Sequence, residues 1–146
     1  MAKKMIGNNV NSKKAKEMNA LNLAYIGDAV YEMYIRHFLV LRGGKPNMLH
    51  KKAIQFVSAK AQAHILHYLI SKLTEEEMDI VKRGRNTKSP SSPKNADIAD
   101  YRYSTAFEAL IGYHFLSQNI ERMESLIQES IAFIEREYSN EQNKTK

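Results

Sequence analysis

Two carboxylates in this sequence stand in apolar surroundings. Asp28 sits within Leu23-Ala24-Tyr25-Ile26-Gly27-Asp28-Ala29-Val30, and Glu108 within Phe107-Glu108-Ala109-Leu110-Ile111-Gly112. An unpaired acid is costly to bury, so each needs a partner. If their helices pack together, Asp28 and Glu108 can share one divalent ion. Mg²⁺ prefers octahedral oxygen ligands and keeps several waters, so two carboxylates plus substrate phosphate oxygens complete its shell. Such an ion lowers the pKa of a bound water and neutralises charge on a phosphodiester during in-line attack. The simpler reading is that each acid salt-bridges to a nearby Lys or Arg, or sits at an exposed helix edge.

The spacing supports convergence. Ala24, Asp28 and Glu32 lie on one stripe of a helix, and Thr105, Glu108 and Gly112 on one stripe of another. Gly27 and Gly112 lower helix propensity by about 1 kcal/mol each relative to Ala. A small residue beside each acid lets the two backbones approach closely.

The elements that must hold these stripes are helical throughout. From Leu21 to Leu41, Leu23, Ile26, Val30, Met33, His37 and Val40 recur at helical spacing. Arg42-Gly43-Gly44-Lys45-Pro46 breaks that helix, and Asn47 is placed to cap a short one with Leu49, Ala53, Phe56 and Val57 inward. Ser58 can cap the next, which carries Ile65, Leu66, Leu69, Ile70 and Leu73. Thr74-Glu75-Glu76-Glu77 is a capping box opening a further helix that ends near Lys82-Arg83-Gly84-Arg85-Asn86. Residues 86–100 read as a long loop, of a length more often functional than not. Helical spacing resumes from Tyr101 to about Ser117 and again from Asn119, with Met123, Leu126, Ile127, Ile131 and Ile134 inward. No segment alternates with period two, so the fold class is all-α. The expected organisation is a flexible basic arm over 1–20, one domain over 21–137 and a polar tail over 138–146.

A chain of 146 residues is one domain by prior and buries roughly 70% of its unfolded surface. Its net charge of +6 is unevenly spread. Residues 82–102 set Lys82, Arg83, Arg85, Lys88, Lys94 and Arg102 against Asp97 and Asp100, whereas 119–143 is acidic. A one-sided basic surface attracts polyanions. There is no cysteine, which excludes a disulfide framework, a thiolate zinc site and a cysteine nucleophile. No apolar run is long enough to span a membrane, so a cytoplasmic location is expected.

The two acid motifs, together with Leu49-His50-Lys51-Lys52, Val57-Ser58-Ala59-Lys60-Ala61-Gln62-Ala63, Lys82-Arg83-Gly84-Arg85-Asn86 and Tyr101-Arg102-Tyr103-Ser104-Thr105-Ala106, resemble the ribonuclease III catalytic domain over roughly residues 21–135. The match is closer to its Mini-III branch, small enzymes without a separate double-stranded-RNA-binding domain. The resemblance implies a homodimeric, Mg²⁺-dependent endoribonuclease, with Mn²⁺ able to replace Mg²⁺. In this family each subunit cuts one strand of an RNA duplex, leaving a 5′-phosphate and a 3′-hydroxyl. The resemblance makes Asp28 and Glu108 the catalytic, metal-binding pair. It also implies 23S ribosomal RNA precursor as substrate, with a ribosomal protein on that RNA as a further conceivable partner.

The chain departs from the wider family at two positions. Ala24 stands where ribonuclease III proper has a glutamate, and Thr105 where it has an aspartate. A second metal ion therefore lacks half its usual carboxylates. Thr105 can orient a water without supplying charge, and Glu32 lies on the right stripe to act as an accessory acid.

A-form RNA offers protein its shape, phosphates and 2′-hydroxyls, so Arg83, Arg85, Asn86, Lys88 and Lys94 along one loop suit its backbone. Lys51, Lys52 and Lys60 are further candidates. The histidines give no general base: His37 and His114 are expected inward, His64 and His67 lack a third metal ligand, and His50 could touch phosphate. Tyr25, Tyr31, Tyr34, Tyr101, Tyr103 and Tyr113 are expected in core or dimer packing. The alternative to a nuclease is a non-catalytic double-stranded-RNA-binding or ribosome-assembly protein on the same scaffold.

Overall fold

The computed structural model describes residues 5–7, 11–87 and 97–144. Among the described residues every regular element is helical, as the all-α expectation requires. These are α1 (Ser12–Glu17), α2 (Ala20–Arg42), α3 (Pro46–Val57), α4 (Ala59–Leu69) followed by a 3-10 turn (Ile70–Lys72), α5 (Glu75–Asn86), α6 (Ile98–Leu116) and α7 (Ile120–Lys144). No helix among them is long and apolar enough to cross a membrane.

Side-chain caps set most of the boundaries. Ser58 Oγ accepts from the Ala61 amide at 3.1 Å and thereby starts α4. At α5 the capping box is complete: the Thr74 amide donates to Glu77 Oε1 at 2.8 Å, and the Glu77 amide to Thr74 Oγ1 at 3.1 Å. Asp97 accepts from the amides of Ala99 and Asp100, so α6 begins before Tyr101, where the sequence pattern placed it. Asn47 does not cap α3. Lys45 holds the N-cap position and Pro46 is the first helical residue, where its missing N–H leaves nothing unsatisfied.

Residues 1–20 are not wholly a loose arm. Asn11 caps α1, Ala15 is fully buried, and Arg83 donates to the carbonyls of Lys16 and Met18. At the other end α7 continues through Tyr138 to Lys144, so the polar tail expected from residue 138 is helical as far as Lys144.

The core lies where α2, α4, α6 and α7 meet, around Tyr31, Ile35, Leu66, Phe107, Leu110 and Met123. The inward face of α2 differs from the expected one. Leu23, Ala24, Gly27, Val30, Tyr31, Ile35 and Leu39 are buried, whereas Met33 and Val40 are more than half exposed and His37 is exposed. The helix is apolar on several sides, so periodicity could not orient it. Its small residues decide the rotation, because they let α2 sit directly against α6.

Candidate active site

The pairing of α2 with α6 is the most extensive helix contact among the described residues. Two glycines set its closeness. A Cβ built on Gly27 would fall 1.7 Å from the Glu108 carbonyl oxygen, and one on Gly112 would fall 1.9 Å from that of Leu23. Neither helix tolerates even a methyl group at these crossings.

This approach brings the two stripes together as the spacing suggested. The Glu108 carboxyl lies against Asp28, with Glu32 close enough to act on it electrostatically. Burial pushes the Glu108 pKa up to about 9, aided by the hydrogen bond and negative charge of Asp28 and the charge of Glu32, while the Gln62 side chain acts in the opposite direction. Asp28 is exposed, so the pair opens to solvent on the α2 side. No salt bridge to Lys or Arg is found for Asp28 or Glu108 among the described residues, which removes the ion-pair form of the simpler reading, while Asp28 does stand at an exposed helix edge. Nor do three His, Cys, Asp or Glu side chains gather there closely enough to hold an ion by themselves. Two acids facing one another without a protein cation suit a hard divalent ion that draws its remaining oxygens from water and substrate.

The neighbouring candidates divide. Thr105 is buried, and its hydroxyl donates to the Tyr101 carbonyl at 3.0 Å, so its proton is engaged within its own helix. Glu32 pairs with Arg36 at 3.2 Å along the surface of α2. Arg83 is a structural clasp on residues 16–18, which leaves it little reach toward a ligand. Arg85 is half-buried with Asn86 exposed beside it, joined by a 3.3 Å hydrogen bond from Arg85 Nε to Asn86 Oδ1. Lys88 and Lys94 lie outside the described residues.

The chain matches the ribonuclease III domain model over residues 21–119, a span that includes both acids. The chain belongs to the ribonuclease III family. Within that family it falls in the Mini-ribonuclease 3 group. It is 55% identical over 120 residues to Mini-ribonuclease 3 of Brevibacillus brevis, covering 82% of this chain and 90% of the relative. It is 46% identical over 143 residues to that of Clostridium tetani, covering 97% and 95% of the two chains. The crystal structure of protein FN1578 from Fusobacterium nucleatum superposes with a TM-score of 0.74 at 31% identity, covering 84% of this chain and 98% of that one. Membership of the family makes the chain an endoribonuclease, and ribonuclease III enzymes act on double-stranded RNA with divalent metal ions.

Sequence reasoning missed two groups around this site. Gln62 reads as an ordinary polar helix residue, yet it is buried and its side chain lies beside Glu108. Glu77 reads only as a cap, yet it is also buried against His114 at 2.6 Å and Arg122 at 2.9 Å. It thus ties α5, α6 and α7 together and steadies the helix that carries Glu108. His114 was expected inward and is buried there, whereas His37, His50, His64 and His67 are exposed. Tyr31 and Tyr113 are core residues; Tyr25 is 85% exposed.

Proposed function

We propose that this endoribonuclease cuts double-stranded RNA at a Mg²⁺ site held by Asp28 and Glu108, with Mn²⁺ able to take the place of Mg²⁺. The observation that carries the proposal is the Glu108 carboxyl set against Asp28, without a cationic side chain, where α2 and α6 are in backbone contact. When bound, the ion supplies Lewis-acid chemistry, lowering the pKa of water and neutralising phosphate charge. The protein supplies placement. Both acids project from a helix pair in backbone contact, whose core beside Glu108 includes the edge-on pair of Tyr31 and Phe107. Burial favours the neutral form of Glu108, and a divalent charge beside it favours the ionised form. Thr105 and Glu32 are accessory positions, Thr105 by packing at the base of the stripe and Glu32 by its charge.

Arg85 and Asn86 at the end of α5, with Lys88 and Lys94 following in the chain, are proposed to follow the phosphate backbone of the duplex, Arg83 being mainly structural. A homodimer, each copy cutting one strand, is supported by the exposed apolar side chains Tyr25, Met33, Val40 and Leu41 along α2. The proposed substrate is the precursor of 23S ribosomal RNA, trimmed at its ends in the cytoplasm, with a ribosomal protein on that RNA as a further partner.

The test is cleavage of an end-labelled RNA duplex at low salt, then of a 23S precursor, with Mg²⁺ and with EDTA, using wild type and Asp28→Asn. Cleavage that requires both Mg²⁺ and Asp28 is expected. A duplex bound equally in Mg²⁺ and EDTA, with both RNAs left whole, would point to a non-catalytic RNA-binding protein.

A further inference from the structure

The short helix α1 is fastened to the end of α5. A helix of six residues does not stand by itself in water, so its order comes from what it touches. Ala15 is fully buried in a small core that includes Ile80 of α5 and Ala109 of α6. Arg83, in the last turn of α5, donates to the carbonyls of Lys16 and Met18. Carbonyls at a helix end lack an intrahelical donor, so the guanidinium satisfies acceptors that would otherwise go without. Lys16 adds an ion pair to Asp79 at 3.8 Å.

What this fastening holds in place is charge. Lys13 and Lys14 are exposed on α1, and neither forms an ion pair among the described residues. On α5, Lys82, Arg85 and Asn86 are spaced i, i+3 and i+4, which sets them on one side of the helix. Of the acids on α1 and the last two turns of α5, Asp79 is taken by Lys16, which leaves Glu17. Two adjoining elements thus expose Lys13, Lys14, Lys82 and Arg85. Arg83 spends its own charge on backbone carbonyls, yet it anchors a helix that carries two unpaired lysines.

We infer that the exposed face of α1 is a second contact for the phosphate backbone of duplex RNA, with Lys13 and Lys14 extending the surface that ends α5. The inference rests on duplex RNA as the substrate and is independent of the metal site. A run of cations on an ordered surface fits a regular array of phosphates. Because α1 is already ordered, its lysines lose less freedom on binding than those of a loose arm would.

The test is filter binding of an RNA duplex across a salt series, in EDTA so that no metal-dependent cut occurs. The slope of log affinity on log salt records the phosphates that are neutralised. Lys13→Gln/Lys14→Gln is expected to reduce that slope by about two relative to wild type, with a melting midpoint close to wild type. Lys72→Gln/Arg136→Gln removes the same charge from the α4–α7 face, where both cations bond Tyr68, and is expected to keep the wild-type slope. Ala15→Gln keeps every lysine but overfills the buried site that holds α1, and its slope is expected to fall as well. Should Ala15→Gln unfold, the two double variants decide. A wild-type slope in Lys13→Gln/Lys14→Gln, an equal fall in Lys72→Gln/Arg136→Gln, or a wild-type slope in a folded Ala15→Gln overturns the inference and leaves the RNA reading intact. Absence of duplex binding by wild type overturns both.

Discussion

The Gly27 α-carbon packs directly against the Glu108 carbonyl, so closely that a Cβ at Gly27 would lie 1.7 Å from that oxygen. This contact ties the two acid motifs together, because it sets Asp28, the next residue on α2, beside the Glu108 side chain on α6. Gly27→Ala must separate the helices, a backbone displacement beyond ordinary overpacking. A loss of about 3 kcal/mol or more is expected, the upper end of overpacking costs, together with loss of cleavage. Urea unfolding measures it, and an unchanged midpoint with full activity would refute the assignment of the crossing.

Asp28→Asn and Glu108→Gln should leave the fold intact and each reduce cleavage by ~10²–10³-fold or more, the scale of removing one electrostatic contact to a transition state. In EDTA neither variant should melt below wild type, since Gln imitates the neutral carboxyl that burial favours at Glu108 and Asn removes one acid from the pair. Added Mg²⁺ should raise the wild-type midpoint, by about 2.7 kcal/mol of stability at a hundredfold excess over Kd. It should not move that of Asp28→Asn. Scanning calorimetry with and without metal gives both readings.

Glu77 predicts the acid limit of stability. Burial alone would raise its pKa, but the hydrogen bonds from His114, Arg122 and the Thr74 amide outweigh burial and hold it well below the usual carboxylate range. A folded-state pKa below the unfolded value means that this contribution is complete above the ordinary Glu value of 4.5 and is lost as pH falls below it. Stability should decline from about pH 5 downward. Glu77→Gln should flatten that decline and cost about 3 kcal/mol at neutral pH. That is the low end for a broken buried pair, because the Arg122 side chain is 37% exposed. Equilibrium unfolding from pH 3 to 8 decides it.

Arg83 and Arg85 should separate stability from RNA binding. Arg83→Ala releases residues 16–18 and should destabilise the fold by about 1.5–3 kcal/mol, the scale of a hydrogen bond with a charged donor. Arg85→Ala should leave the melting midpoint unchanged and weaken duplex binding, with the slope of log affinity on log salt falling by about one phosphate contact. Filter binding across a salt series reads the second effect. An Arg85→Ala slope identical to wild type would remove this residue from the RNA surface.

The residue order alone singled out the two acids proposed to carry the chemistry and determined that helices carry them. Asp28 and Glu108 are each set in an apolar run beside a glycine, and Ser58 and Thr74-x-x-Glu77 mark helix starts by local hydrogen bonding that needs no distant partner. Tertiary packing decided the rest. Which side of α2 faces inward could not be read from a helix apolar on several sides; Gly27 against α6 chose it, leaving Met33 and Val40 outside. Arg83 and Arg85 look equivalent in a basic run, yet their separation by two helical positions turns Arg83 onto the carbonyls of residues 16 and 18 and leaves Arg85 near solvent. Gln62 and Glu108 are far apart in sequence and share no local pattern. Only the packing of α4 on α6 makes them neighbours, because long-range contacts follow from complementary surfaces that short-range periodicity does not encode.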